Sequence, residues 1–193
     1  MGMSFSRLAS LVLIGGALLS ASLWAQQATS PNVDNDFVQK QFGTNCNLIG
    51  MPPLKADLDS DGIEDMVIPA RCTSPLMDQA EDNYVVLDPY NSFFGYGNPK
   101  VTTAFVADDP MRRGFSLLVI HGAGPEAWHA TSPKAKFMLV NIPFRDVRVR
   151  KLQVKKKIRM AIYVDETGGN AMTSVVFWDG KKYRYNPMGS TME

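Results

Sequence analysis

The chain has 193 residues, and its 20 Lys and Arg against 19 Asp and Glu give a formal net charge of +1. This near-neutral balance supplies no overall attraction for nucleic acid or for an anionic membrane, so net charge alone predicts neither partner. The length suits one domain of ordinary size that can bury a hydrophobic core.

The N-terminal segment predicts export. Arg7 precedes an apolar run over 8–19, and small residues then lead to Ala25, which is the three-part pattern of a secretory signal peptide. We predict that residues 1–25 are removed and that the mature protein is periplasmic or extracellular. The apolar run is shorter than the roughly 20 residues of a membrane helix, so an uncleaved anchor is the less favoured alternative and no stable membrane insertion is expected after cleavage.

The mature chain is predicted to start with a disordered lead-in over 26–33 and to continue as one β-rich domain over 34–193. A short helix is expected at the start of that domain. Asp34 or Asn35 can cap its first turn, and Gly43 can end it.

The segment 57–65 carries the most informative pattern in the chain, D-x-D-x-D-G-x-x-D. Its carboxylates repel one another unless a cation lies among them, and calcium takes about 6–8 oxygen ligands. We therefore predict a Ca²⁺ site, in which Gly62 provides the sharp backbone turn. The expected ligands are the side chains of Asp57, Asp59, Asp61 and Asp65 and the backbone carbonyl of Ile63. The alternative is an acidic surface turn that binds no ion.

This loop is not an EF-hand, because the twelfth position, where that motif requires glutamate, is Ile68. The segment 56–69 leads instead from the acidic loop straight into an apolar strand, and it resembles the calcium loops of FG-GAP/VCBS-type repeats of integrin-like propellers and many secreted bacterial proteins. The resemblance implies bound calcium and specifies no activity. The motif occurs once, so a complete propeller is not expected.

Cys46 and Cys72 are the two cysteines, and they bracket the acidic loop. An even number of cysteines in an exported protein predicts a disulfide, which would stabilise the fold by roughly 3 kcal/mol on the chain-entropy model. The alternative is a pair of buried thiols.

Short β-prone segments separated by Gly, Pro, Asn and Asp dominate the rest of the chain. Strands are predicted over 66–68, 84–88, 101–107, 115–121, 137–142, 146–154, 158–164, 173–178 and 181–185. Asp179-Gly180 between the last two predicts a hairpin turn. This pattern favours a mainly β fold, a compact antiparallel sheet domain that is sandwich-like or partial-propeller-like, with one short N-terminal helix.

His121 and His129, with Glu126 between them, are the candidates for acid–base or metal chemistry. Their spacing matches no zinc pattern, and the chain contains no G-x-S-x-G nucleophile elbow. We therefore interpret His121 as a structural residue and expect no enzymatic activity. A small hydrolase around His121 remains the second alternative.

Two further surfaces make a binding module the first alternative. The loop 90–97 contains four aromatic residues, and the segment 145–159 contains eight basic residues and one acidic residue. Either surface could bind a glycan or protein of the cell envelope, although a local core and a protected sheet edge explain them more simply. The leading hypothesis is a non-enzymatic exported domain with structural calcium.

Overall fold

The structure is a computed structural model, and it describes residues 32–95, 113–142, 144–167 and 173–188. The predicted signal peptide, the start of the lead-in, and the predicted strand over 101–107 lie outside these residues.

The first element is the helix α1 (Asn35–Phe42), whose start is capped by Asp34. The Asp34 carboxylate accepts a hydrogen bond from the backbone N–H of Phe37 at 2.8 Å, which satisfies one of the free donors of the first turn. Gly43 ends the helix, as predicted, with a φ of +87°. Among the described residues, none of the helices has the length and apolar character that crossing a membrane requires.

Six strands form the first sheet, here called sheet A. They are β1 (Cys46–Leu48), β2 (Leu54–Ala56), β3 (Asp65–Cys72), β4 (Val85–Leu87), β5 (Phe115–His121) and β6 (Ala135–Leu139). The order is β1-β3-β5-β6-β4. Strand β2 also pairs with β3, at the end opposite to the one that pairs with β1. All these pairs are antiparallel except β4 with β6, which is parallel.

Four strands form sheet B, an antiparallel meander in the order β10-β9-β8-β7. They are β7 (Phe144–Val154), β8 (Lys157–Glu166), β9 (Thr173–Trp178) and β10 (Tyr183–Pro187). The predicted turn between the last two strands is confirmed. The Asp179 carboxylate accepts the backbone N–H groups of Lys181 and Lys182 at 2.8 and 2.9 Å, which closes this turn.

Sheet A is buried on both faces, which explains why β3 and β5 read as nearly continuous apolar runs. Alternate residues of β3, such as Met66 and Ile68, pack with Val38 and Phe42 of α1. Val67 points the other way, into a second core shared with sheet B. The prediction of a mainly β fold is therefore confirmed, as two sheets packed face to face with a helix against the outer face of sheet A.

Several elements were not predicted, because each is too short to show a period. They are β1, β2, the helix α2 (Pro89–Phe93) inside the aromatic loop, and 3₁₀ turns over Gly124–His129. The parallel pairing of β4 with β6 was also missed, since pairing direction depends on how the intervening chain crosses the sheet. β6 ends before the predicted limit of 142, and Asn141 follows with a left-handed φ of +60°.

Candidate metal centre

The acidic loop connects β2 to β3, which are antiparallel neighbours whose last pair is Ala56 with Asp65. Leu58 anchors the loop, because its side chain is 2% exposed and lies in the core between the sheets. Gly62 has a φ of +87°, and a Cβ atom built on it would meet no atom within 4 Å. The glycine is thus required by backbone conformation and not by lack of space.

Three of the predicted ligands converge. Oxygens of Asp57, Asp59 and Asp61 all lie within 4.8 Å of one another. Loop N–H groups hold these carboxylates in place. The N–H of Gly62 donates to Asp57 Oδ2 at 3.0 Å, and the N–H of Ile63 donates to Asp61 Oδ1 at 2.9 Å. The loop therefore presents a concentrated negative charge whose geometry is set by its own backbone.

Lys134, just before β6, places its ammonium group at this charge. Its Nζ atom lies 2.6 Å from Asp59 Oδ2 and 2.6 Å from Asp61 Oδ2. The hydrogen bond from Lys134 lowers the pKa of Asp61, and the two carboxylates in turn raise the pKa of Lys134. One ammonium against three carboxylates leaves a formal charge of −2, since −3 + 1 = −2. The side chain of Lys134 is 48% exposed, so it has room to move away.

Asp65 is not brought into this group of three. Its carboxylate is buried, and both of its oxygens accept backbone hydrogen bonds, Oδ2 from the N–H of Leu58 at 2.7 Å and Oδ1 from the N–H of Gly122 at 2.8 Å. Burial raises the pKa of Asp65 to about 6, although the two hydrogen bonds oppose that shift. Asp65 thereby ties the acidic loop to the end of β5.

Glu64 lies outside the three-carboxylate group and has two polar partners of its own. Its Oε1 atom accepts a hydrogen bond from Trp128 Nε1 at 3.1 Å and lies 3.4 Å from Lys55 Nζ. The side chain fixes the outer edge of the loop to Trp128, which belongs to the core against α1.

His121 lies directly behind the acidic loop. Its Nδ1 atom is 3.4 Å from Asp59 Oδ2, and its Nε2 atom is 2.7 Å from the hydroxyl of Tyr183. Burial lowers the pKa of His121, which favours the neutral ring. A neutral ring with its hydrogen on Nδ1 satisfies both contacts, donating toward Asp59 and accepting from Tyr183.

His121 and Glu126, the residues of the hydrolase alternative, differ in their exposure to solvent. His121 is 1% exposed and is enclosed by the rings of Phe137, Trp178 and Tyr183, with centroids 5.1 to 5.8 Å away. Glu126 is exposed to solvent. His121 therefore has packing partners on its sides and little access from solvent.

The predicted disulfide is confirmed. Cys46 and Cys72 are directly opposed in the β1–β3 ladder, with a Cα–Cα distance of 4.2 Å, and they are linked by the bridge. The acidic loop lies between them in sequence, so the bridge closes a covalent ring that contains the whole acidic loop.

The structure describes part of the predicted aromatic surface and all of the predicted basic face. Phe93 and Phe94, at the end of α2, pack against Tyr185 and are 48% and 46% exposed. The end of this loop, 96–97, lies outside the described residues. The basic face is the hairpin formed by β7 and β8.

Neither the family models nor the curated proteins nor the solved structures contain a match to this chain.

Proposed function

We propose that this chain is an exported, non-enzymatic β domain that binds one calcium ion as a structural element of the loop 57–65. The observation that carries the proposal is the convergence of Asp57, Asp59 and Asp61, two of which already share one positive charge, the Lys134 ammonium. A loop that aims several carboxylates at one point has the oxygen-rich chemistry that calcium prefers.

The charges support a divalent ion. The three carboxylates carry a formal charge of −3, and a divalent ion would neutralise more of it than the single ammonium of Lys134 does. The ion would take oxygens from Asp57, Asp59 and Asp61, the carbonyl of Ile63, and water to complete its shell. Lys134 would turn toward solvent as the ion enters.

Asp65 has a different role in this proposal. Because both of its oxygens already hold backbone N–H groups, it positions the loop and links the metal centre to Gly122. Calcium would then order the chain that leads into β3, a strand paired with three others, β1, β2 and β5. The ion would stabilise sheet A without taking part in a reaction.

The proposal includes export. The signal-peptide pattern of residues 1–25 supports it, and so does the disulfide, since such bonds persist mainly in oxidising compartments. Free calcium is high outside the cytoplasm, where sites with dissociation constants of about 10⁻⁴–10⁻³ M are filled.

Isothermal titration of the purified protein with calcium tests the proposal. The Asp61→Asn variant, which keeps the shape and removes one ligand charge, should bind at least tenfold more weakly. Glu81→Gln is the matched control, since Glu81 is exposed and outside the loop. Equal affinities in all three proteins would show that the loop 57–65 does not bind the ion. The absence of a heat signal in the wild type would refute calcium binding.

The aromatic surface supports a second candidate function, a binding module for an envelope glycan or protein. Phe93 and Phe94 expose nearly half of their area side by side, with ring centroids 5.1 Å apart. Rings in this position offer a large contact area at low entropic cost. Glycan-array binding by the wild type that is lost in Phe93→Ser would favour this function. Retention of binding in Phe93→Ser would dismiss it.

A further inference from the structure

The hairpin of β7 and β8 ends in a strongly basic segment, residues 150–159, here called the arm tip. Six of its ten residues are Lys or Arg, and none is acidic. β9 pairs with β8 only along 162–165, so the residues 157–161 of β8 have β7 as their paired strand. The arm tip therefore continues past the paired length of β9, although Arg159 at its base still donates to the backbone carbonyl of Trp178.

Most of these cations lack an internal counter-ion. At the base of the hairpin, Arg148 is paired with Asp146 and Asp165, at 2.7 and 2.8 Å. Within the described parts of the chain, by contrast, no carboxylate forms an ion pair with Arg150, with Lys151 or with the run Lys155–Lys157. Five exposed positive charges are thus left to meet an anion from outside, although the whole chain is close to neutral.

The apex of the hairpin places charge where other residues would fit the backbone better. Lys155 and Lys156 form the turn, and Lys155 has a left-handed φ of +55°. Turns of this kind favour Gly, Asn and Asp, which reach positive φ at low cost. A lysine pair at this position is unfavourable for the turn itself and places two exposed cations there.

An exposed apolar side chain lies beside these cations. Ile158 is 68% exposed and is opposed by Gln153 in the ladder. A single exposed isoleucine is ordinary on a protein surface. Its position beside Lys155–Lys157 matters more, because cations next to an exposed apolar side chain match the two kinds of group in a lipid interface, anionic headgroups and acyl chains.

We propose that the arm tip docks onto an anionic lipid surface. Lys155–Lys157 would contact the headgroup phosphates, and the Ile158 side chain would enter the boundary with the acyl chains. Single-stranded nucleic acid fits less well, because the arm tip has no aromatic ring to stack on bases. An acidic polysaccharide fits less well because it would give Ile158 no apolar partner. The inference uses none of the proposed calcium ligands, although Lys157, Ile158 and Arg159 line one pocket with Asp59 and Ser60 of the acidic loop.

The size of the effect follows from the charges. Each Lys or Arg near an anionic bilayer contributes about 1 kcal/mol of binding free energy, which raises the partition coefficient about fivefold. Lys155→Gln with Lys156→Gln should therefore weaken binding about 25-fold. Ile158→Ser should weaken it about tenfold, through loss of partial apolar burial.

Vesicle co-sedimentation tests the proposal directly. The wild type and all variants, carrying the same N-terminus, are mixed with phosphatidylcholine vesicles containing either none or about a third phosphatidylglycerol. Chelator is present throughout, so the outcome is separate from calcium binding. The matched control is Lys40→Gln with Lys181→Gln, which removes the same charge from two exposed sites outside the arm tip.

Binding that requires phosphatidylglycerol, falls in both arm-tip variants and is kept by the control would support the proposal. Three outcomes would overturn it. The first is failure of the wild type to sediment with anionic vesicles, and the second is vesicle binding that weakens equally in the control variant. The third is vesicle binding that is unchanged in Ile158→Ser and is competed by heparin or duplex DNA. The last outcome would identify a general polyanion site.

Discussion

Loss of the Cys46–Cys72 disulfide should lower the stability of the domain by an amount that its sequence separation predicts. The bridge joins residues 26 positions apart. For a closed loop of that length, the chain-entropy relation gives about 3.5 kcal/mol at 25 °C. In a domain of this size, each kcal/mol of unfolding free energy shifts the melting temperature by about 2–4 °C. The melting temperature should therefore fall by about 7–14 °C.

The measurement is thermal unfolding followed by circular dichroism, with and without reductant. The variant that carries both Cys46→Ala and Cys72→Ala is the control, and it should melt near the reduced wild type and not respond to reductant. Mass spectrometry confirms the state of the bridge in each sample. A fall of less than about 2 °C on verified reduction would refute the reasoning, because it would mean that the bridge does not restrict the unfolded chain.

Three further predictions concern the acidic loop. Lys134→Met should raise calcium affinity at least tenfold in isothermal titration, because it removes the internal cation from Asp59 and Asp61; unchanged affinity would show that the ammonium does not compete. Gly62→Val should lower melting temperature and calcium affinity by straining a φ of +87°, whereas Gly50→Val, at a φ of +82° outside the loop, should lower only the melting temperature. Burial raises the pKa of Asp65 to about 6, above the usual 3.8 of an aspartate carboxyl, so its ionisation costs folding free energy. The free energy of unfolding of the wild type, measured relative to Asp65→Asn in denaturant titrations, should therefore fall by about 3 kcal/mol as pH rises from about 4 to above 6. A difference between the two proteins that does not change over this range would contradict the burial argument.

The sequence predicts the strands of this fold well where apolar pattern and turn chemistry agree. β5 and β9 have the predicted bounds, 115–121 and 173–178, because each is a clear β-prone run between breakers. β3 was predicted only as 66–68 but extends over Asp65–Cys72, with Pro69 inside it. Proline lowers the expectation of a strand, and here the pairing with β5 overrides that local preference.

The candidate site is only partly readable from the sequence. The spacing of Asp57, Asp59 and Asp61 indicates that their carboxylates lie close together, since the three residues belong to one short loop. Lys134 and His121 could not be assigned to the same site, because they come from segments more than 60 residues further along the chain and only the folding of sheet A brings them there. The role of Asp65 was missed for a similar reason, because its partner Gly122 is 57 residues away.

The most direct test of the account is the effect of calcium on melting temperature. For the wild type stripped with chelator, calcium at 100 times the dissociation constant should add about 2.7 kcal/mol, or about 5–11 °C. Magnesium at equal concentration should add much less, because it demands a tighter octahedral shell. A rise with calcium that is absent in Asp61→Asn and retained in Glu81→Gln is the result expected. An unmoved melting curve at about 10 mM calcium, well above the dissociation constants of extracellular sites, would contradict the central claim.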